Sequence, residues 1–185
     1  MEDSNRKIKV KYKFGENVNS AKSPLPSATI LMLRETREAL ETFMVVRHHQ
    51  IDFASGALVF PGGKVDQADY GLEDLCSGLD NHDDGTHPAY KIGAIREAFE
   101  ESGILFARDS SSLEIVSGDQ LAKLSHYREK LHSGEISFRS FLESERLILA
   151  CEELQHFAHW ITPEMMPKRF DTHFFLAKAP NQTAI

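Results

Sequence analysis

The chain has 185 residues, which suits one domain with a sizeable core and is short for two. A formal net charge of -7 lacks the basic footprint of a general nucleic-acid binder. Two cysteines without a CxxC pair, Cys76 and Cys151, read as reduced thiols, and no apolar run approaches a membrane span. The expectation is a cytoplasmic protein with no nucleic-acid and no membrane partner.

In chain order, residues 1–27 are charged and then rich in Ser and Pro, with no apolar signal region; they read as a mobile leader. Residues 28–185 read as one domain. Ala28–Leu33, Phe43–Val46 and Ala57–Phe60 are apolar strand candidates, the first two joined through the charged residues 34–42. The third runs into Pro61-Gly62-Gly63, a turn. Residues 66–87 carry seven aspartates and glutamates and few large apolar residues, and read as an exposed insertion with a short helix near 71–78.

Residues 89–102 read as a helix with Ile92, Ile95 and Phe99 on one apolar stripe and Gly103 as a left-handed cap. Glu97 and Glu101 are i, i+4 neighbours on the opposite side, flanked by Glu100. Three carboxylates so close repel one another and push at least one pKa upward, unless a divalent cation holds all three ionised. Oxygen ligands of this kind select Mg²⁺ or Mn²⁺ over softer metals. Ile104–Phe106 then reads as a strand, residues 119–132 as a helix, and Ser137 as the cap of another helix carrying Phe138, Phe141 and Leu142. Phe157–Ile161 and His173–Ala177 are late strands. His156 and His159 fall on opposite faces of the first, which keeps them from one shared ion. The order implies a mixed sheet with helices on its faces. Asp80-x-His82-x-Asp84-Gly85 imitates a calcium loop without its third-position and twelfth-position acids, and His48-His49 lacks a partner at helical spacing.

The run Arg96-Glu97-x-x-Glu100-Glu101-x-Gly103-Ile104 resembles the second half of the Nudix box, and Gly63, five residues, then Asp69 resembles the first. A chance match to the second half has odds on the order of 10⁻⁴ per chain. Asp69 stands where the family has Glu, and twenty-six residues, Tyr70 to Ile95, stand where the family has seven. A box split by an insertion (70–88) is similar to that of enzymes resembling the peroxisomal coenzyme A diphosphatases. The segment Phe53–Gly63, Trp160–Glu164 and Lys168–Thr172 also resembles that subgroup.

The resemblance implies an α/β fold, a Nudix-type α/β/α sandwich around a mixed sheet with a helical insertion after the box. It implies Glu97 and Glu101 as metal ligands, Glu100 as a third ligand or the base, the Gly63 carbonyl as a further ligand, and Arg96 as the residue that positions a glutamate. Mg²⁺ or Mn²⁺ would be the cofactor and a small-molecule nucleoside diphosphate derivative the substrate. No proline occurs in residues 89–162, where ADP-ribose enzymes of the family tend to carry one, and the NADH-enzyme motif is also missing. Coenzyme A or an acyl-coenzyme A then leads, with Arg47, Gly62, Arg169 and Phe170 as candidate substrate contacts. A non-hydrolysing nucleotide sensor is the competing reading. The resembling enzymes usually continue beyond Ala177 through a further strand and helix, so exposed apolar surface is expected here. The oligomeric state stays open, a homodimer included.

Overall fold

The computed structural model describes residues 23–46, 56–79 and 85–180. The leader's first 22 residues, Arg47, His48-His49 and most of the calcium-like loop, Asp80 to Asp84, lie outside the described residues.

Strand β1 (Leu25–Glu35) takes in the last three residues of the expected leader. Ala28, Ile30 and Met32 are buried at alternate positions, so one face of β1 meets the core. The charged residues 34–42, expected as a hairpin-type connection, form a hairpin whose second strand lies within them. β1 runs to Glu35, a tight turn spans Thr36 to Ala39, and β2 (Leu40–Thr42) returns antiparallel. Arg34 and Glu41 pair across this hairpin at 2.6 Å. The short β3 (Val45–Val46) and β4 (Leu58–Val59) pair with each other, and β5 (Gly62–Lys64) pairs antiparallel with β1.

The 66–87 stretch is not simply exposed. A 3₁₀ turn at Gln67–Asp69 buries Asp69, and Leu72 is buried behind it. The helix expected near 71–78 is a second 3₁₀ turn, Glu73–Leu75, leading into a two-residue strand, β6 (Cys76–Ser77).

Helix α1 (Pro88–Ser102) starts with proline in its first turn and the His87 side chain accepting from the Ala89 amide at 3.2 Å. It ends at Gly103, whose φ of 79° is the left-handed cap read from the sequence. One amphipathic stripe was too modest a reading. Ala89, Ile92, Ala94, Ile95, Ala98 and Phe99 are all buried, because the helix is packed between the main sheet and a second layer.

Ile104–Phe106 is buried, and the strand is β7 (Ala107–Asp109), which begins just after it; the Phe106 carbonyl accepts from the Ala150 amide at 3.0 Å. The 119–132 helix is broken into α2 (Gly118–Leu124) and α3 (Tyr127–His132), and Ser137 caps α4 (Phe138–Ser144) by accepting from the Ser140 amide. A strand absent from the sequence reading, β8 (Leu147–Ala150), sits between β6 and β7 in a three-stranded sheet. Phe99 of α1 stacks on Phe141 of α4 with centroids 5.2 Å apart, which joins this layer to α1.

The last strands are β9 (Gln155–Ile161) and β10 (Phe170–Lys178). β10 lies parallel to β1 and antiparallel to β9, giving a mixed sheet in the order β2-β1-β10-β9 with β5 also on β1. A bulge between Phe174 and Phe175 breaks the β9–β10 register. It brings the His156 and His159 rings both against His173, where opposite faces were expected, while only His159 of the two has a ligand atom grouped with those of Asp171 and His173. Phe157, Trp160 and Ile161 of β9 are exposed.

Candidate active site

The last two turns of α1 face β5. Arg96 is only 7% exposed, and burying a guanidinium is costly unless it is paired and fully hydrogen-bonded. Its Nε donates to Asp69 Oδ1 at 2.9 Å and its Nη2 to Asp69 Oδ2 at 3.0 Å, a bidentate fork. Nη2 also donates to the Lys64 carbonyl at 2.8 Å. Nη1 donates to Glu97 Oε1 at 3.0 Å and to Glu100 Oε1 at 3.2 Å. These acceptors satisfy all five N–H groups of an arginine. Burial works against the charge, but the hydrogen bond and the field of Asp69, with Glu97 and Glu100, outweigh it and raise the Arg96 pKa. Arg96 is therefore a permanently charged hub that fixes the rotamers of two glutamates.

Asp69 is 1% exposed and shorter than the family's glutamate. The 3₁₀ turn makes up the difference by carrying its backbone toward α1, and Asp69 Oδ2 also accepts from the Asp66 amide at 2.8 Å.

Both glycines of β5 are required by close approach. A Cβ on Gly63 would stand 2.5–2.6 Å from the Glu97 carboxyl group. A Cβ on Gly62 would stand 2.4 Å from the Ala28 carbonyl oxygen. The Gly62 amide donates to Glu101 Oε2 at 3.1 Å, so Glu101 is drawn to the same strand. Burial pushes the Glu97 carboxyl up to about 7; Arg96 opposes this, and the neighbouring Glu100 and Glu101 add to it. This is the upward shift expected of crowded carboxylates.

Helix α3 supplies groups that the sequence did not reveal. Arg128 of α3 donates to the carbonyls of Phe99, Glu100 and Glu101 at 2.9–3.1 Å, placing a cation at the C-terminal end of α1. His132 Nδ1 is 3.9 Å from Glu100 Oε2. Their only sequence signal was a place on the polar side of a helix, and which way that side points is decided by packing.

Glu97, Glu100, Glu101, Gly62 and Gly63 line a cleft of about 1470 Å³. Its other wall is apolar, with Val45, Leu58, Phe60, Phe170 and Phe174. Phe170 is thus beside the carboxylates. Arg169 is not among the residues lining this cleft: its Nε donates to the Thr162 carbonyl at 3.0 Å in the β9–β10 connection. Arg47 lies outside the described residues.

Glu97, Glu100 and Glu101 form a hard, anionic donor set beside a tightly approached glycine strand. That chemistry suits a divalent cation with oxygen ligands.

The family profile described as NUDT19 Nudix domain matches residues 80–184, more than half of the chain. An acyl-coenzyme A diphosphatase NUDT19 from Xenopus laevis is 26% identical over 74% of this chain and 46% of its own length. A putative nudix hydrolase 7 from Caenorhabditis elegans is 28% identical over 86% of this chain and 45% of its own length. The chain thus spans about half the length of the curated relatives it matches. A NUDIX hydrolase from Alicyclobacillus acidocaldarius, known from its crystal structure, superposes with a TM-score of 0.70 at 25% identity, over 89% of this chain and 73% of its own. The chain thus belongs to the Nudix hydrolase family, whose members generally use divalent metal ions and act on small-molecule nucleoside diphosphate derivatives. Within that class, the chain belongs to the family of NUDT19 Nudix domains. Among the described residues, no helix is long and apolar enough to cross a membrane.

Proposed function

We propose that this chain hydrolyses the diphosphate linkage of coenzyme A or an acyl-coenzyme A with Mg²⁺ or Mn²⁺ as its cofactor. The observation that carries the reading is the Arg96 hub, which holds Glu97 and Glu100 in fixed rotamers beside Glu101 and the Gly62-Gly63 strand. The name of the Xenopus relative and the apolar wall of the cleft support the substrate class, since an acyl chain needs such a wall.

Glu97 and Glu101 are the cation's proposed ligands, with the Gly63 carbonyl completing the set. When bound, the cation neutralises the diphosphate oxygens and lowers the pKa of the attacking water. Glu100 is placed to join the ligands or to take the proton of that water. The water oxygen forms a bond to one phosphorus, the bridging P–O bond breaks, and the leaving phosphate keeps the electron pair. Arg96 is a positioning residue: its guanidinium is consumed by protein acceptors and orients the glutamates. Asp69 in turn orients Arg96. Phe170 offers a face on which a base can stack, and the Gly62 amide holds Glu101 toward the cleft.

Product release should be measured with Mg²⁺ and, in parallel, coenzyme A, an acyl-coenzyme A, ADP-ribose, NADH and a dinucleotide polyphosphate. The reading expects cleavage of the coenzyme A compounds at the highest kcat/KM. Preferential cleavage of ADP-ribose or NADH would overturn the substrate class, and tight binding without product would replace hydrolysis by sensing.

A further inference from the structure

Away from the carboxylates, β9 and β10 gather a cluster of different chemistry. His159 and His173 are direct cross-strand partners, and their rings stack with centroids 4.1 Å apart and planes within 14°. Asp171 lies two residues before His173, on the same face of β10. Its Oδ1 is hydrogen-bonded to His159 Nε2. In a regular strand His156 would point away from His159. The bulge at Phe174/Phe175 resets the alternation, and His156 Nε2 lies 3.0 Å from His173 Nδ1.

Two imidazoles and a carboxylate therefore converge, with the third imidazole, His156, against one of them. One ligand atom from each of His159, Asp171 and His173 lies within 4.8 Å of the others. Tetrahedral Zn²⁺ with bonds of about 2.0–2.2 Å sets its donors roughly 3.3 Å apart, so closing on one ion draws the donors together and turns the two stacked rings out of parallel. Packing already limits the rings: Tyr90 of α1 lies 4.2 Å from His173, and Phe175 lies 5.6 Å from His156. The His159 side chain is 41% exposed, which leaves an entry path.

We propose that His159, His173 and Asp171, with His156 hydrogen-bonded behind His173, form a second metal site that takes Zn²⁺ or a similar nitrogen-seeking divalent ion. Its ligand chemistry separates it from the carboxylate centre. Imidazole suits Zn²⁺, whereas the oxygen-only set on α1 suits Mg²⁺ or Mn²⁺. Its position separates it too. Tyr90, which flanks it, precedes Glu97 by seven residues, about 10 Å along α1. An ion here would tie the sheet's last strand, β9, to β10 beside the first turn of α1.

The test uses the full chain stripped of metal, with excess Mg²⁺ present to occupy the carboxylate centre and Co²⁺ as a visible probe for the Zn²⁺ site. One equivalent of Co²⁺ should produce the strong visible absorption of a low-coordinate, nitrogen-bound ion, and Zn²⁺ should abolish it. His159→Gln and His173→Gln should each weaken Co²⁺ binding at least tenfold, while the Glu97→Gln/Glu101→Gln double variant keeps it. Zn²⁺ should raise the melting temperature of the unaltered chain and leave that of His159→Gln unmoved. If His173→Gln fails to fold, His159→Gln, altered at a part-exposed ring, decides the matter. Absence of the band, or its loss in the glutamate variant with retention in the histidine variants, would overturn the proposal. The cluster would then be a hydrogen-bonded His–Asp and His–His chain only.

Discussion

Arg96 concentrates the argument at the scale of single residues. Its fork to Asp69 is almost wholly buried, so removing one partner leaves the other uncompensated. Asp69→Ala should cost about 3–5 kcal/mol of stability, read from denaturant unfolding, and should lower activity as well because the glutamates lose their anchor. A cost below about 1 kcal/mol would mean that the fork is not formed. Glu97 gives a second prediction. Its pKa is raised to about 7 from an ordinary value of 4.5, chiefly by burial. The unfolded chain therefore loses this proton first, and the contribution is present below about 4.5 and lost as pH rises to about 7. The metal-free protein should become less stable across that window, and Glu97→Gln should flatten the slope. A steeper slope in the variant would contradict the assignment. The glutamates were legible in the sequence because helical spacing alone puts Glu97, Glu100 and Glu101 together. The part played by Asp69 was not, since it depends on a 3₁₀ turn that composition described only as an acidic loop.

Among the elements, α1 is the one on which both the fold and the site depend. Its limits were readable from Pro88 and Gly103, whose backbone preferences are local. Its burial on several sides was not readable, because that depends on what α3 and α4 bring against it. Phe99→Ala should cost about 3–5 kcal/mol, since the ring is fully buried and stacked on Phe141. Equilibrium unfolding measures this directly. β8 escaped the sequence reading because Leu147–Ala150 is a short apolar run, and its pairing with β6 joins residues 72 or more positions apart. The bulge in β9 escaped for a similar reason: alternation is a rule for regular strands, and one irregular step transfers His156 to the other face.

Across the whole molecule, the strand β5, the helix α1 and the helix α3 line one cleft with an anionic centre beside an apolar wall. A cation that binds only the folded chain should stabilise it by mass action, by about 2.7 kcal/mol at a hundred times its Kd. Mg²⁺ should thus raise the melting temperature of the unaltered chain and fail to do so for Glu97→Gln/Glu101→Gln. Equal shifts in both would remove the centre from these residues. The most direct test of the account is the initial rate of coenzyme A hydrolysis at saturating Mg²⁺ for the unaltered chain and for Glu101→Gln. The account predicts Mg²⁺-dependent diphosphate cleavage that falls roughly a thousandfold in Glu101→Gln, with the fold intact by circular dichroism. Turnover in Glu101→Gln close to that of the unaltered chain would contradict it.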